Sequence, residues 1–146
     1  MDELWCNMDE SILEIRDYDG EGFKPLIFFG TWRVAMLRYL DELQPDHIKT
    51  MERHMETDEV FVLLRGRGTL VLGGNASKCE GAIPQPMETG RLYNVKCKTW
   101  HAVLLSHDAS VLLVENGDTG EANSEYADLS AEQKAGLMET ARREHF

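Results

Sequence analysis

Residues 52–68, ERHMETDEVFVLLRGRG, combine acids, a histidine and three arginines with an apolar run. From Glu59 onward the run alternates, so that Glu59, Phe61 and Leu63 share one face of a strand and three further apolar residues share the other. A carboxylate in a buried row is costly unless it is paired, hydrogen-bonded or bound to a metal. The stretch therefore predicts a buried strand whose first residue, Glu59, needs a partner.

Short β-type segments dominate the rest of the chain between residues 24 and 117. Segments rich in Gly, Pro, Asn and Asp separate nearly all of them, and none of these spacers has the pattern of a crossover helix. This organisation is typical of antiparallel strands in a sandwich or a barrel. Strands are predicted at residues 26–29, 31–40, 59–65, 68–74, 91–95, 100–106 and 110–116.

Partners for Glu59 are available on two other segments. Glu52 and His54 are two residues apart, which in an extended segment places both side chains on one face, about 7 Å apart. His101 begins another alternating apolar row. Two imidazoles and a carboxylate that converge inside a barrel match the ligand count of the two-His, one-carboxylate metal site.

The spacing around Glu59 resembles the first motif of the cupin family. That motif reads Gly, five residues, His-x-His, three or four residues, Glu, six residues, Gly. His54, Glu59 and Gly66 fall in register with it. The position of the first histidine holds Glu52, and the opening glycine position holds Asp46.

A second cupin motif lies downstream and reads Gly, five residues, Pro-x-Gly, two residues, His, three residues, Asn. Gly90 and His101 are in register. The proline, glycine and asparagine positions hold Lys96, Lys98 and Leu105. Together the two motifs cover residues 46–105.

The resemblance implies an all-β double-stranded β-helix, the cupin jelly-roll barrel, in a single domain over residues 1–146 with its barrel core at about 24–117. It implies that His54, Glu59 and His101 hold a divalent transition metal, with Fe, Mn, Zn and Ni as the candidates. It also implies pairing of subunits, which agrees with strands that are apolar on both faces.

Glu52 has three interpretations, which stay open at this point. It is a fourth metal ligand, giving two histidines and two carboxylates, a harder donor set that suits Mn or Fe better than Cu. Alternatively, it lies beside the metal as a catalytic general base or hydrogen-bond acceptor. In the third interpretation the metal has been lost and Glu52 is a polar residue of a pocket.

The C-terminal segment changes to a helical period. Ser130 and Gln133 form the pattern of a capping box, and an apolar stripe follows on a helix predicted at about residues 130–144. This helix is expected to dock on the barrel exterior or on another subunit. A short helix is also predicted around residues 10–15.

Charge and composition exclude several classes of partner. The net charge of -11 makes the average surface repel nucleic acid and anionic lipid. No apolar run approaches the roughly 20 residues that span a bilayer, and the acidic start does not resemble a secretory signal, so a cytoplasmic location is expected. The cysteines, Cys6, Cys79 and Cys97, are odd in number and without a CxxC pair, and free thiols are expected.

Other polar residues are interpreted as parts of the surface. His47, His107 and His145 are expected to be solvated, and so are the arginines in the tight connection at 65–67 and the lysines in the turn at 96–98. In the strand at 31–40, either face is able to line a pocket, and an inward arginine would select an anionic ligand.

The sequence therefore predicts a metal-dependent enzyme that acts on a small molecule, of isomerase, lyase, hydrolase or dioxygenase type. The alternative is a non-catalytic barrel that binds a sugar or an organic acid, with or without metal. In both cases the expected partners are a small-molecule ligand and a second copy of the chain, and neither nucleic acid nor membrane.

Overall fold

The structure, a computed structural model, describes residues 9–146, which contain ten strands, one α-helix and three short 3-10 helices. The elements in chain order are β1 (Gly22–Phe29), β2 (Trp32–Arg38), β3 (Thr50–His54), β4 (Glu59–Arg65), β5 (Gly68–Leu72), β6 (Ile83–Pro86), β7 (Leu92–Val95), β8 (His101–Leu105), β9 (Ser110–Asn116), β10 (Ser124–Asp128) and α1 (Ala131–Arg143).

The strands form two antiparallel five-stranded sheets. The first sheet has the order β1-β2-β9-β4-β7, and the second has the order β10-β3-β8-β5-β6. The predicted all-β fold with a C-terminal helix is confirmed.

An apolar interior lies between the two sheets. Alternation along β4 and β9 sends every second side chain inward, so that the row behind Glu59 is buried as predicted. The apolar side chains occupy one end of the barrel interior, and polar side chains occupy the other end. Its buried apolar members are Ala35, Phe61, Leu63, Leu70, Met87, Val95, Val103, Leu105, Ala109, Val111 and Leu113.

Helix α1 covers the outer face of the second sheet. The Ser130 hydroxyl accepts a hydrogen bond from the backbone N–H of Gln133, and the Gln133 side chain accepts one from the N–H of Ser130, so the predicted capping box is present. Leu137 and Ala141 pack into a second apolar cluster with residues of that sheet, including Trp100. Within residues 9–146, no helix is long and apolar enough to cross a membrane.

Gly66, the last residue of the first motif, is required by the close approach of two chain segments. Its φ of 75° lies in the left-handed region that favours glycine. A Cβ at this position would lie 2.7 Å from the Cα of Ala109. Any other residue would therefore force the backbone apart at the turn between β4 and β5.

Arg67 is exposed, as expected, and it also contacts the C-terminal segment of the chain. Its guanidinium donates hydrogen bonds to the backbone carbonyls of Glu144 and His145. It also lies over the ring of Phe146, 4.9 Å from the ring centroid. Arg67 therefore fixes the segment after α1 against the start of β5.

Three strands and one expected helix differ from the sequence prediction. The edge strands β6 and β10 were not predicted, because one contains two prolines and the other is mostly polar. The segment of β3 was expected to be extended but not to be a separate strand. Residues 10–12 form a single turn instead of the short helix predicted at 10–15, which is too short to be stable without packing.

Candidate metal centre

Four predicted site residues from three strands meet at the polar end of the barrel interior. Glu52 and His54 lie on β3, Glu59 begins β4, and His101 begins β8. Glu52 and His101 are directly opposite each other where β3 pairs with β8. The structure thus brings together all four residues that the sequence selected.

Glu59 lies at the centre of this group. Its Oε1 atom is 3.1 Å from Nε2 of His101 and 3.3 Å from Nε2 of His54. The Oε1 atom of Glu52 is 3.9 Å from each of the same two nitrogens. One donor atom of each side chain therefore points toward a common volume.

The three inner donor atoms are buried and have no hydrogen-bond partner among the described residues. They are Nε2 of His54, Nε2 of His101 and Oε1 of Glu59. A buried polar atom without a partner is costly, and such atoms are rare in folded proteins. Three of them at one point indicate that a further group belongs between them.

The histidine rings are oriented by their other nitrogens. Nδ1 of His101 lies 2.9 Å from the carbonyl oxygen of Thr99, which accepts hydrogen bonds and does not donate them, so this nitrogen carries the proton. Nδ1 of His54 lies 2.8 Å from the hydroxyl of Ser124. A neutral His101 then turns the lone pair of Nε2 toward Glu59, as in histidines that bind metals.

The pKa values of this group are coupled through Glu59. Burial alone would raise the pKa of Glu59, but the two imidazoles lower it to about 2. Burial alone would lower the pKa of His54 and His101, but the Glu59 carboxylate raises both. The charge of Glu59 and the protonated forms of the two imidazoles therefore stabilise each other.

Glu52 differs from the inner three residues because 41% of its side chain is exposed. It borders the open cavity next to both histidines. This position is compatible with a fourth ligand and with a group that exchanges protons with a bound molecule.

Glu115, on β9, is a fifth polar residue of the centre that the sequence analysis missed. Its side chain is 2% exposed, and one oxygen accepts hydrogen bonds from Arg33 on β2 at 2.9 and 3.3 Å. The other oxygen, Oε2, is buried without a partner among residues 9–146. Glu115 ends the inward row of β9 just as Glu59 begins that of β4, so the same alternation argument would have found it.

Glu115 lies close enough to Glu59 for the two charges to interact. Burial and the Glu59 charge raise the pKa of Glu115 to about 7, against the opposing effect of Arg33. A ligand atom of Glu115 lies within 4.8 Å of those of His54 and Glu59. The centre is thus rich in carboxylates.

These residues fit a divalent metal ion. Two imidazole nitrogens and carboxylate oxygens are ligands that Fe, Mn, Zn and Ni accept, and the group Glu52, His54 and His101 has its ligand atoms within 4.8 Å of one another. When ionised, Glu52, Glu59 and Glu115 carry three negative charges, of which Arg33 balances one. A divalent ion neutralises the remaining two.

A cavity of about 620 Å³ opens over the centre. Its deep part is lined by apolar side chains, including Phe61 and Leu113, and its outer part by polar ones, including Tyr126 and Glu121. Its volume is within the range of small-molecule sites. His47, which was expected to be solvated, is an exposed residue of the cavity wall.

The turn before His101 is tied to the turn before Glu59. The Asp58 carboxylate accepts hydrogen bonds from the backbone N–H of Cys97, from Asn94 and from Lys96. Lys96, the backbone N–H of Cys97 and Asn94 together lower the pKa of Asp58 to about 2. Lys96 is 71% exposed, as expected for this turn, and its amine also pairs with Asp58. The contacts of Asp58 help to fix the spacing of Glu59 and His101.

Lys98 adopts a conformation that normally requires glycine. It occupies the glycine position of the second motif, and its φ is 69°. Its N–H donates to the carbonyl of His54 at 2.8 Å, which fixes the turn against β3. The backbone of the motif is thus kept although its glycine is absent.

Replacing Lys98 with glycine is expected to raise the free energy of unfolding by about 0.5–1 kcal/mol, because the strain of a left-handed residue exceeds the added entropy of the unfolded chain. Chemical denaturation measures this change. Lys134→Gly in α1 is the matched control and should lower the same quantity by about 1 kcal/mol. A loss of stability in Lys98→Gly would show that the lysine side chain has a structural role.

Comparison with known proteins gives matches at the level of structure. No model of a protein family matches the sequence, and no curated protein matches it. A Streptomyces PAC13 variant with uridine is 13% identical and has a TM-score of 0.51, with 79% of this chain and 85% of that chain covered. The structure of Pac13, a nucleoside dehydratase, is 12% identical with a TM-score of 0.51, and 79% and 86% of the two chains are covered.

The likeness to Pac13, the two antiparallel sheets and the two sequence motifs all indicate the same fold. The chain has the cupin fold. A cupin-2 domain-containing protein from Shewanella frigidimarina is also similar, at 11% identity and a TM-score of 0.49, over 68% of this chain and 84% of that chain. At these identities the likeness concerns the fold, and the activities of the other cupins are not transferred with it.

Proposed function

We propose that this cupin is a metal-dependent enzyme that acts on a small molecule, with the metal held by His54, Glu59 and His101. The observation that carries the proposal is the convergence of three buried donor atoms without partners. A bound divalent ion would supply Lewis-acid activation of an oxygen atom of the substrate. Glu52 is proposed as the fourth ligand or as the residue that accepts a proton from the substrate.

The residues define what surrounds the reacting molecule. Phe61 and Leu113 exclude water from the inner wall of the cavity, and Glu52 offers a carboxylate at the boundary with solvent. Isomerase, lyase, hydrolase and dioxygenase chemistry all fit this arrangement, because cupin enzymes differ in reaction on similar ligand sets.

A non-catalytic barrel without metal is the second candidate. Two observations favour it. Protonated His54 and His101 form ion pairs with the Glu59 carboxylate, and Glu52 stands where the cupin motif has a histidine. Elemental analysis of protein purified without added metal separates the candidates. The enzyme is expected to hold close to one equivalent, whereas less than about a tenth of an equivalent, unchanged by His101→Ala, supports the binding barrel.

The stabilisation that a bound metal ion gives should increase with pH. In the metal-free protein, the raised pKa of His54 and His101 gives stability that is full below about pH 6.5 and is lost as pH rises through the folded pKa values. The lowered pKa of Glu59 gives stability that is lost only as pH falls toward about 2. Metal competes with protons for the imidazoles.

Accordingly, the increase in melting temperature caused by Zn²⁺ should grow between about pH 5.5 and about pH 8. Differential scanning calorimetry with and without Zn²⁺ measures the increase. An increase that is constant or that shrinks across this range would place the ion away from the histidines.

We also propose that the chain forms a homodimer through the outer face of the first sheet. Residues between the buried positions of β2, β4 and β9 point outward, and they carry no charge along the centre of the sheet. Helix α1 covers the other sheet, whereas no described element covers this one. In a chain of net charge -11, an uncharged apolar face is where two copies repel least. The face consists of Ile27, Phe29, Trp32, Val34, Met36, Val60, Val62, Leu92, Leu112 and Val114.

Leu112→Asp, at the centre of this face, is expected to convert the dimer to a monomer, because a buried carboxylate without a partner is costly. Light scattering after size-exclusion chromatography measures the mass. Ile83→Asp, an exposed position on β6 of the other sheet, should leave the mass unchanged. A wild-type protein of monomer mass would contradict the dimer.

A cytoplasmic location stays a prediction.

A further inference from the structure

The cavity over the candidate metal centre has a marked negative charge balance. Five carboxylate side chains line it, whereas two permanently cationic side chains, Arg33 and Lys49, do so. A divalent ion at the centre would reduce the negative excess and would not reverse it. Apart from the metal centre itself, an anionic ligand therefore needs a cation in the wall that is free to contact it.

Arg33 is the cation that faces the deep part of the cavity, and its hydrogen-bonding capacity is nearly used. It donates to Glu115 through two nitrogens, at 2.9 and 3.3 Å. It also donates to the backbone carbonyls of Gly117 and Thr119, at 3.3 and 3.1 Å. Four of the five guanidinium N–H groups are thereby engaged, and one face of the group lies against Phe23.

The second cation, Lys49, is exposed and directly precedes β3. At this exposed position, solvent screens the attraction between single charges. Exposed Glu42 and Glu121 line the same cavity and oppose it. Lys49 is therefore a weak anchor for an anion.

The cavity instead offers free hydrogen-bond acceptors. Oε2 of Glu115 is buried, lines the cavity wall through its side chain and has no partner within the described chain. Glu52 adds a second carboxylate that is partly exposed. The Glu52 carboxylate, and Glu115 in the ionised form that pairs with Arg33, accept hydrogen bonds and do not donate them, so the complementary ligand groups are hydroxyl and amino groups.

We infer that the Arg33–Glu115 ion pair makes this cavity select uncharged or cationic ligands with hydroxyl or amino groups, and reject carboxylates and phosphates. The inference rests on the proposed function in that it takes this cavity as the substrate site. It narrows the substrate class, and it opposes the organic acid that the sequence left open. Arg33 acts here as a counter-ion of Glu115, not as an anion receptor.

A matched pair of variants tests this role. Glu115→Gln removes the counter-ion and releases Arg33, whereas Glu121→Gln removes the same charge from the cavity without touching Arg33. Isothermal titration with D-glucuronate and with D-glucose compares an anionic probe with an uncharged one. Glucuronate should bind Glu115→Gln at least about tenfold more tightly than wild type, and Glu121→Gln should stay within about threefold of wild type.

Equal gains in glucuronate affinity in both variants, or no gain in Glu115→Gln, would overturn the inference. Should Glu115→Gln fail to fold, wild-type protein provides the decision: tighter binding of glucuronate than of glucose overturns the inference, and the reverse order supports it. Titrations are made with and without saturating Zn²⁺. Failure to bind Zn²⁺ counts against the proposed function, whereas the metal-free titrations decide the role of Arg33.

Discussion

Replacing His101 with alanine is expected to lower the affinity for a divalent metal by at least about a hundredfold, since even residues that only support a ligand change affinity by 10–100-fold. His101 is buried, its Nε2 lies 3.1 Å from Glu59, and its ring is fixed by Thr99. Among the other described histidines, His54 already belongs to the centre, His47 lies on the exposed cavity wall, and His107 and His145 do not line the cavity. Titration of metal-free protein with Zn²⁺ measures the affinity.

The control for this experiment is His107→Ala. His107 stacks on Tyr39 with 4.1 Å between the ring centroids, and it does not line the cavity. Its loss should leave metal affinity within about twofold of wild type, because no donor atom of the centre changes. Equal affinities in wild type and His101→Ala would show that the metal binds elsewhere. Circular dichroism checks that both variants keep their fold.

Leu137→Ala is expected to lower the free energy of unfolding by about 2–5 kcal/mol. Leu137 is 1% exposed, and it packs from α1 into the apolar cluster that includes Trp100 and Leu104. The truncation removes buried methyl groups and leaves a cavity between the helix and the second sheet. Denaturation in urea, with the slope checked for constancy, measures the change.

The neighbouring Met138 provides the control. Its side chain is 43% exposed, so Met138→Ala should change the free energy of unfolding by less than about 0.5 kcal/mol. Equal losses at the two positions would mean that α1 does not pack on the sheet as described.

The predictable part of the fold is the part in which burial leaves a pattern in the sequence. The strands around Phe61 and Leu113 alternate because one face is in the core, and the capping box of Ser130 marks the start of α1. The strands β6 and β10 leave no such pattern, because edge strands have one side in solvent and tolerate proline and polar residues. Their pairing depends on the neighbouring strands.

The candidate site also contains some residues that the sequence predicts and some that it does not. His54, Glu59 and His101 were predicted from spacing, because strands of fixed register bring residues at fixed separations together. Glu115 carries the same signal as Glu59, a carboxylate at the end of a buried row, but it lies outside both motifs. The pairing of Arg33 with Glu115 depends on β2 and β9 being neighbours, and the sequence contains no local sign of that adjacency.

The most direct test of the metal centre is an anomalous diffraction experiment on crystals grown with Zn²⁺. A single strong peak is predicted between Nε2 of His54, Nε2 of His101 and Oε1 of Glu59, at about 2.0–2.2 Å from each. The peak should be absent in His101→Ala and present in His107→Ala. Full metal occupancy at any other position, with these three side chains unchanged, would contradict the account.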